Sequence, residues 1–346
     1  MVLTVTNSLK NAPAAFVPHE GNTVNWYCCG PTVYDDSHLG HARSYVVFDT
    51  IRRILVDFFG YHVNFVLNIT DIDDKIINKA KALETDVDVI ARYYEAKFFQ
   101  ALNKLNCLPP SSILRVTDYI PEIVSFIEQI ISNGYAYESN GSVYFDLTKF
   151  KSSEKHEFPK LQVHSDLNSL EANDASGEKR CPLDFVLWKA AKPHEPFWDS
   201  PWGKGRPGWH IECSALSNLK LGNPIDIHSG GIDLIFPHHT NEIAQSEAFH
   251  DAPNVFLNFW HCGHLNIEGS KMSKSLKNFI AIDKILEERP IRMQVRSAAK
   301  KLLKIPDSKP LGMELMSVSD QMRQGLLDKF AIKLEDTAGS FTWKKI

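Results

Sequence analysis

The chain has 346 residues, which by the usual figure of roughly 150 residues per domain implies about two domains. It is 43% hydrophobic and 23% charged, the composition of an ordinary globular protein with a sizeable core. A formal net charge of −4 excludes a global basic field for nucleic acid, so any RNA contact must use local basic patches. The 6 cysteines are scattered, and a bridge between the neighbours Cys28 and Cys29 would be badly strained. Free thiols or metal ligands in a reducing compartment are therefore expected rather than a disulfide framework. No uncharged apolar run reaches ~18 residues, so no membrane span is expected. The opening "MVLTVTNSLKNAPAAF" lacks a basic start and a long apolar stretch, and reads as mature protein rather than a signal peptide.

Residues 23–29, "TVNWYCC", read as a strand rich in β-branched and aromatic residues, ended by Gly30-Pro31. From about 41 to 59 apolar residues recur at helical spacing, and Gly60 stops the run. Residues 61–69, "YHVNFVLNI", read as a second strand. Strand, helix and strand in that order make a βαβ unit and imply a parallel sheet. Helices are expected at about 76–84 and 87–105. A helix at 121–132 starts with Pro121 and ends at Gly134. Asn140-Gly141, flanked by apolar residues, predicts a hairpin. The polar stretch 150–180 reads as loop or partly disordered. Residues 113–200 look inserted between two halves, 1–112 and 201–288, of an α/β domain. "NPIDIHSGGIDLIF" predicts another strand and a glycine turn, followed by a helix from about 239 to 250. Residues 289–346 are lysine-rich and mostly helical in pattern.

Several constellations can carry chemistry. His38 and His41 flank Leu39-Gly40 where a strand-end loop becomes a helix. Free backbone N–H groups there bind anions, Gly40 permits close approach, and two imidazoles can donate to phosphate oxygens. Two loop histidines without a ligand are the plain alternative. In "EGSKMSKSLKN", Lys271, Lys274 and Lys277 recur every three residues on a glycine-containing loop. Such lysines can close over a polyphosphate, or form a solvated basic loop. His238 and Glu242, at i and i+4, share a helix face, and His239 also reaches Glu242. With Cys213 and Cys29 they offer thiolate, imidazole and carboxylate, a donor set that suits Zn²⁺. No two of them form a CxxC knuckle, and buried structural cysteines are the alternative. Alternation places Cys29 on the face opposite Val24, Trp26 and Cys28, so Cys28 reads as core and Cys29 as the better ligand. Asp71, Asp73 and Asp74 read first as caps of the next helix, with metal or sugar hydroxyls as the alternative.

Together these residues resemble one family. "GPTVYDDSHLGHAR" resembles the HIGH signature of class I aminoacyl-tRNA synthetases, and "KMSKS" at 271–275 their second signature. "WYCCGPTVYD", "NITDIDDKI", "SPWGKGRPGWHIECSA" and "DIHSGGIDLIFPHHTNEIAQSEA" resemble the cysteinyl-tRNA synthetase family, of eukaryotic cytosolic type. The resemblance covers about residues 5–288. It implies a Rossmann-like catalytic domain split by an inserted connective domain. It implies one zinc per chain held by Cys29, Cys213, His238 and Glu242, and a cysteine substrate near Gly30, Thr70, Trp209 and His238. It assigns Lys274 and Gly40 to ATP and gives catalytic roles to His38, His41, Lys271 and Lys274. L-cysteine, ATP with Mg²⁺, and tRNA(Cys) are the implied partners, in the cytoplasm. The oligomeric state is left open.

The sequence departs from the family pattern at a few points. Leu39 stands where the signature has Ile. Thr240 stands where an acidic residue is common, and Asn78 where eukaryotic forms carry Lys. Residues 317–336 resemble a segment near the end of full-length eukaryotic forms, so the chain is expected to lack most of the anticodon-binding region and to keep a short helical remnant. Two other readings stay open: a cysteine-activating ligase acting on a small amine, and an inactive or regulatory fragment.

Overall fold

The computed structural model describes residues 2–161, 177–267, 270–272, 279–288, 332–337 and 340–345. The chain divides into two compact units. The first is Met1–Asp35, Ile51–Ala96 and Pro109–Cys262; the second is Asp36–Thr50, Lys97–Leu108 and Gly263–Ile346.

In chain order come β1 (Leu3–Asn7), β2 (Ala12–Phe16), β3 (Thr23–Cys28), α1 (Leu39–Arg53) and β4 (His62–Ile69). Next are α2 (Asp74–Ala82), α3 (Val87–Lys104), β5 (Ser112–Arg115), α4 (Ile120–Ser132), β6 (Ala136–Ser139), β7 (Ser142–Phe145) and α5 (Leu147–Lys151). Then follow β8 (Phe185–Ala190), β9 (Gly205–Pro207), α6 (Trp209–Leu221), β10 (Ile227–Gly231), α7 (Thr240–His250) and β11 (Phe259–Cys262). The last are β12 (Asn266–Ile267), β13 (Ser270–Lys271), α8 (Ile282–Glu288), β14 (Ile332–Thr337) and β15 (Ser340–Lys345).

The first unit is built on a five-stranded parallel sheet in the order β11-β10-β3-β4-β5. β3 and β4 pair in parallel from Thr23 against His62 to Cys28 against Leu67, as the expected βαβ unit requires. Both strands are near-continuous apolar runs because a parallel sheet is covered on both faces. Trp26 sits at the centre of one face, edge-on to Phe65 and Trp260 at 5.1 and 5.3 Å between ring centres. α4 begins with Pro121 in its first turn, and Gly134 just beyond its end takes a left-handed φ of +83°. A second sheet, β6-β7-β8-β9, is antiparallel and draws on residues 136–207. Its first hairpin turns at Asn140 and Gly141, with φ of +51° and +79°, the left-handed pair that a tight two-residue turn demands. Of the polar stretch 150–180, residues 162–176 lie outside the described residues; Leu161 is buried.

In the second unit, Ala42, Ala101 and Ile282 form a small core, and Tyr45 packs edge-on to Phe98 at 5.1 Å. Lys97 pairs with Asp36, and Lys104 with Asp283, each at 2.5 Å. β12, β13, β14 and β15 form a four-stranded sheet in the order β13-β12-β15-β14. The expected helical remnant is corrected at residues 332–337 and 340–345, which are antiparallel strands. "IKLEDT" and "SFTWKK" alternate polar with apolar residues, so the period is two rather than 3.6. Residues 289–331 lie outside the described residues.

Candidate functional site

The end of β3 delivers Cys29 to the carboxyl edge of the parallel sheet, where ligands of such sheets bind. The Cys29 N–H donates to Ser229 O at 3.0 Å. Opposite it, α6 carries Cys213 in its second turn, and the turn before α7 presents His238. Glu242 follows four residues later in the first turn of α7, so the two side chains meet. All four side chains are buried.

Their ligand atoms lie within 4.8 Å of one another. Cys29 Sγ is 3.8 Å from Cys213 Sγ, 3.6 Å from His238 Nε2 and 3.7 Å from Glu242 Oε1. A tetrahedral zinc with ordinary bond lengths places two sulfurs about 3.8 Å apart, and sulfur about 3.6 Å from nitrogen or oxygen. The three sulfur-centred edges therefore fit that ion. His238 Nε2 and Glu242 Oε1 stand closer, at 2.9 Å, sharing a proton as an ion pair.

Burial opposes every charge here, yet at three of the four groups the partners overcome it. Glu242 and Cys213 lift His238 to about 10 against that burial, while His228 and His238 bring Glu242 down to about 2. Burial also disfavours a Cys213 thiolate, but the Cys29 hydrogen bond and the His238 imidazolium bring it down to about 6. Beside it Cys29 is raised, by burial first and by Cys213 second. A histidine or cysteine ligand must be a neutral imidazole or a thiolate, so a metal entering the quartet would displace the protons on His238 and Cys29.

A second set, Cys29, His228, His239 and Glu242, also falls within 4.8 Å. It has one sulfur instead of two. In it His239 Nε2 lies 3.4 Å from Cys29 Sγ with its Nδ1 2.7 Å from His261 Nε2, and His228 Nε2 meets Glu242 Oε2 at 2.7 Å. His228 is better read as the partner that fixes Glu242. His210 does the same for His238, their Nδ1 atoms being 2.8 Å apart. Neither His210 nor His261 is reachable by spacing rules, because their partners lie 28 and 22 residues away in sequence.

The residues expected at the amino acid are arranged around this centre. Trp209 stacks on His238 at 4.4 Å. Gly30 N–H donates to Asn68 Oδ1 at 2.8 Å, and a Cβ on Gly30 would lie 1.6 Å from Asn68 O, so only glycine fits. The Thr70 hydroxyl donates to Glu212 Oε2 at 2.9 Å. Burial, with Cys213 next in weight, holds the Glu212 carboxyl well above its ordinary range. The Thr240 hydroxyl donates to Ile235 O at 2.7 Å, and Asn78 is exposed on α2. Of the aspartates, Asp73 caps α2 by accepting from Lys75 N–H at 2.8 Å. Asp71 instead accepts from the Thr117 N–H and hydroxyl at 3.1 and 2.7 Å.

In the second unit, His38 and His41 stack face to face at 3.9 Å. His38 Nδ1 accepts from the N–H groups of Gly40 and His41 at 3.1 and 3.3 Å, and His41 Nδ1 accepts from His38 N–H at 3.2 Å. Both Nδ1 atoms are acceptors, so a proton on either neutral ring sits on Nε2 and makes it a donor. Gly40 is needed for this cap, since its Cβ would lie 2.9 Å from His38 Cε1. Backbone pairing ties the motif to the stretch after the lysine loop: Leu39 N–H donates to Ile280 O and Ile282 N–H to Ser37 O, both at 3.0 Å. Lys271 begins that loop, its backbone paired with Asn266; Lys274 lies outside the described residues.

The parallel α/β sheet and the sequence motifs "HLGH" and "KMSKS" are what a class I aminoacyl-tRNA synthetase catalytic domain would carry. The sequence matches the family model described as tRNA synthetases class I (C) catalytic domain over residues 15–301, and the chain belongs to that family. It is 53% identical over 298 residues to "Cysteine--tRNA ligase, cytoplasmic" of Dictyostelium discoideum, covering 83% of this chain and 45% of that protein. It is 50% identical over 285 residues to "Cysteine--tRNA ligase" of Encephalitozoon cuniculi, covering 82% of this chain and 58% of that protein. The chain thus spans about half the length of these curated relatives. A Mycobacterium tuberculosis methionyl-tRNA synthetase structure in complex with methionyl-adenylate shares the fold, with a TM-score of 0.61 and 16% identity over 92% of this chain and 75% of that one. All six cysteines are free, and among the described residues no helix is long and apolar enough to cross a membrane.

Proposed function

We propose that the chain activates L-cysteine with ATP, giving cysteinyl-adenylate and pyrophosphate, and passes the cysteine to tRNA(Cys) in the cytoplasm. The observation that carries this reading is the buried quartet of Cys29, Cys213, His238 and Glu242 with tetrahedral sulfur-centred spacing. Serine differs from cysteine only by oxygen for sulfur, and a pocket of ordinary contacts separates such isosteres by ~10²-fold. Discrimination of ~10⁴-fold needs about 5.5 kcal/mol. The quartet would hold one Zn²⁺, which when bound prefers a soft thiolate to a hydroxyl and supplies that discrimination.

The chain's own residues position the rest. Gly30, Thr70, Trp209 and His238 enclose the amino acid. A substrate carboxylate oxygen attacks the α-phosphorus, the bond to the bridging oxygen breaks, and pyrophosphate leaves with the negative charge. His38 and His41 donate from Nε2 to the phosphates, over the close approach that Gly40 allows. Lys271 and Lys274 bring positive charge to them, and Mg²⁺ accompanies the ATP. Such catalysis is positioning and charge stabilisation.

Cysteine-dependent ATP–pyrophosphate exchange and tRNA charging test the reading together. Exchange with cysteine but not serine is expected, with about one zinc per chain and loss of that zinc in Cys213→Ser. Exchange without charging would confine the activity to amino-acid activation. A folded, zinc-loaded chain showing no exchange would sink the reading.

A further inference from the structure

α6 brings more than a thiol to the centre. Trp209, Glu212 and Cys213 stand at i, i+3 and i+4, so they share one face of the helix. Trp209 covers His238, and Cys213 lies against Cys29. Between them Glu212 is 1% exposed. Its carboxylate receives a hydrogen bond from the Thr70 hydroxyl at 2.9 Å and pairs with no cation among the described residues. Elsewhere in this unit Glu95 holds Arg115 at 2.7 Å and Glu247 holds Lys160 at 2.5 Å, while the buried Asp184 and Asp226 each accept from two or more N–H and O–H donors; among the described residues Glu212 accepts from Thr70 alone. Burial this deep penalises the charged form of a carboxyl group, and a cation placed beside it would stabilise that form.

We infer that Glu212 is the counter-group for the α-ammonium of the amino-acid substrate, with the Thr70 hydroxyl beside it as the second contact. This rests on the cysteine reading above and adds a residue to it. Thr70 links the two: its hydroxyl hydrogen is committed to Glu212, which leaves its lone pairs to accept, and Asn68 Nδ2 donates to one of them at 3.4 Å. The chain of contacts continues through Asn68 Oδ1 to the N–H of Gly30. A thiol recognised at Cys29 and Cys213 and an ammonium recognised at Glu212 together define an α-amino thiol. A thiol lacking the amine would satisfy only half of the site.

The test measures calorimetric binding of L-cysteine and of 3-mercaptopropionate, which lacks the amine, to zinc-loaded full chain, wild type and Glu212→Gln. A charge-assisted hydrogen bond is worth ~10–100-fold in affinity. Wild type is expected to favour L-cysteine by that factor. In Glu212→Gln only L-cysteine binding falls, by the same factor, while zinc content and 3-mercaptopropionate binding stay unchanged. Glutamine keeps the shape and the Thr70 hydrogen bond, so folding is retained; a melt at or above the wild-type temperature checks this. Equal affinity of wild type for the two thiols, or equal losses of both in the variant, overturns the proposal alone. A zinc-loaded wild type that binds neither thiol overturns it together with the cysteine reading.

Discussion

At the scale of single residues, the centre depends on side chains that hold the ligands rather than on the ligands alone. His238 can offer Nε2 to a metal only if its other nitrogen is fixed, and His210 Nδ1 does this at 2.8 Å. Partners of this kind typically contribute ~10–100-fold to metal affinity. His210→Ala is therefore expected to weaken zinc binding by that factor, read by competition with a chromophoric chelator. Unchanged affinity would show that Trp209 stacking suffices to orient the ring. The four candidate ligands and Gly30 could be picked out in the sequence, because each lies in a motif that carries the family pattern. His210 and His228 sit inside the same motifs but give no sign of their task. Their partners are set by the approach of α6, β10 and α7, which no local spacing encodes.

At the scale of elements, periodicity predicts β3, α1, β4, α4 and the Asn140-Gly141 hairpin because each is built from local rules of patterning and turn chemistry. It misreads residues 332–345, where basic composition outweighs a period of two. It also leaves the role of Asp74 open. In the structure Asp74 opens α2 and reaches across to the second sheet, meeting Arg206 on β9 at 2.5 Å and Lys189 on β8 at 2.9 Å. Burial opposes ionisation, but Lys189 and Arg206 outweigh it and lower the Asp74 carboxyl. A folded pKa below the unfolded value of about 3.9 stabilises the fold above that pH. The contribution is lost as the pH falls through the lower folded value. Asp74 is 55% exposed on its side chain, so solvent screening discounts the clamp to under about 1 kcal/mol. Asp74→Asn is expected to lower the urea midpoint slightly at pH 7 and to approach wild type as the pH falls through the lowered folded value. A deficit that persists in acid would mean that packing, not charge, holds α2 to the sheet.

At the scale of the whole molecule, the parallel order β11-β10-β3-β4-β5 sets strands from opposite ends of the catalytic sequence side by side. A sequence predicts that such a sheet exists but not its order, because neighbours far apart in the chain are chosen by tertiary packing. The same packing assembles the quartet: Cys29 and Cys213 meet across 184 residues, and His238 and Glu242 come from a third segment. A metal that binds these four binds only the folded chain, since the unfolded chain holds them far apart. Zinc at ~1,000 times its dissociation constant would then stabilise the fold by about 4 kcal/mol. For a chain of 346 residues each kcal/mol moves the melting temperature by roughly 1.4 °C, so stripping zinc with a chelator should lower it by about 6 °C. Returning zinc should restore it, and Cys213→Ser should melt at one temperature with or without chelator. The zinc content must be measured alongside. If it falls to zero and the melt does not move, the quartet is held by its own hydrogen bonds, and the metal serves selection among substrates without contributing to the fold.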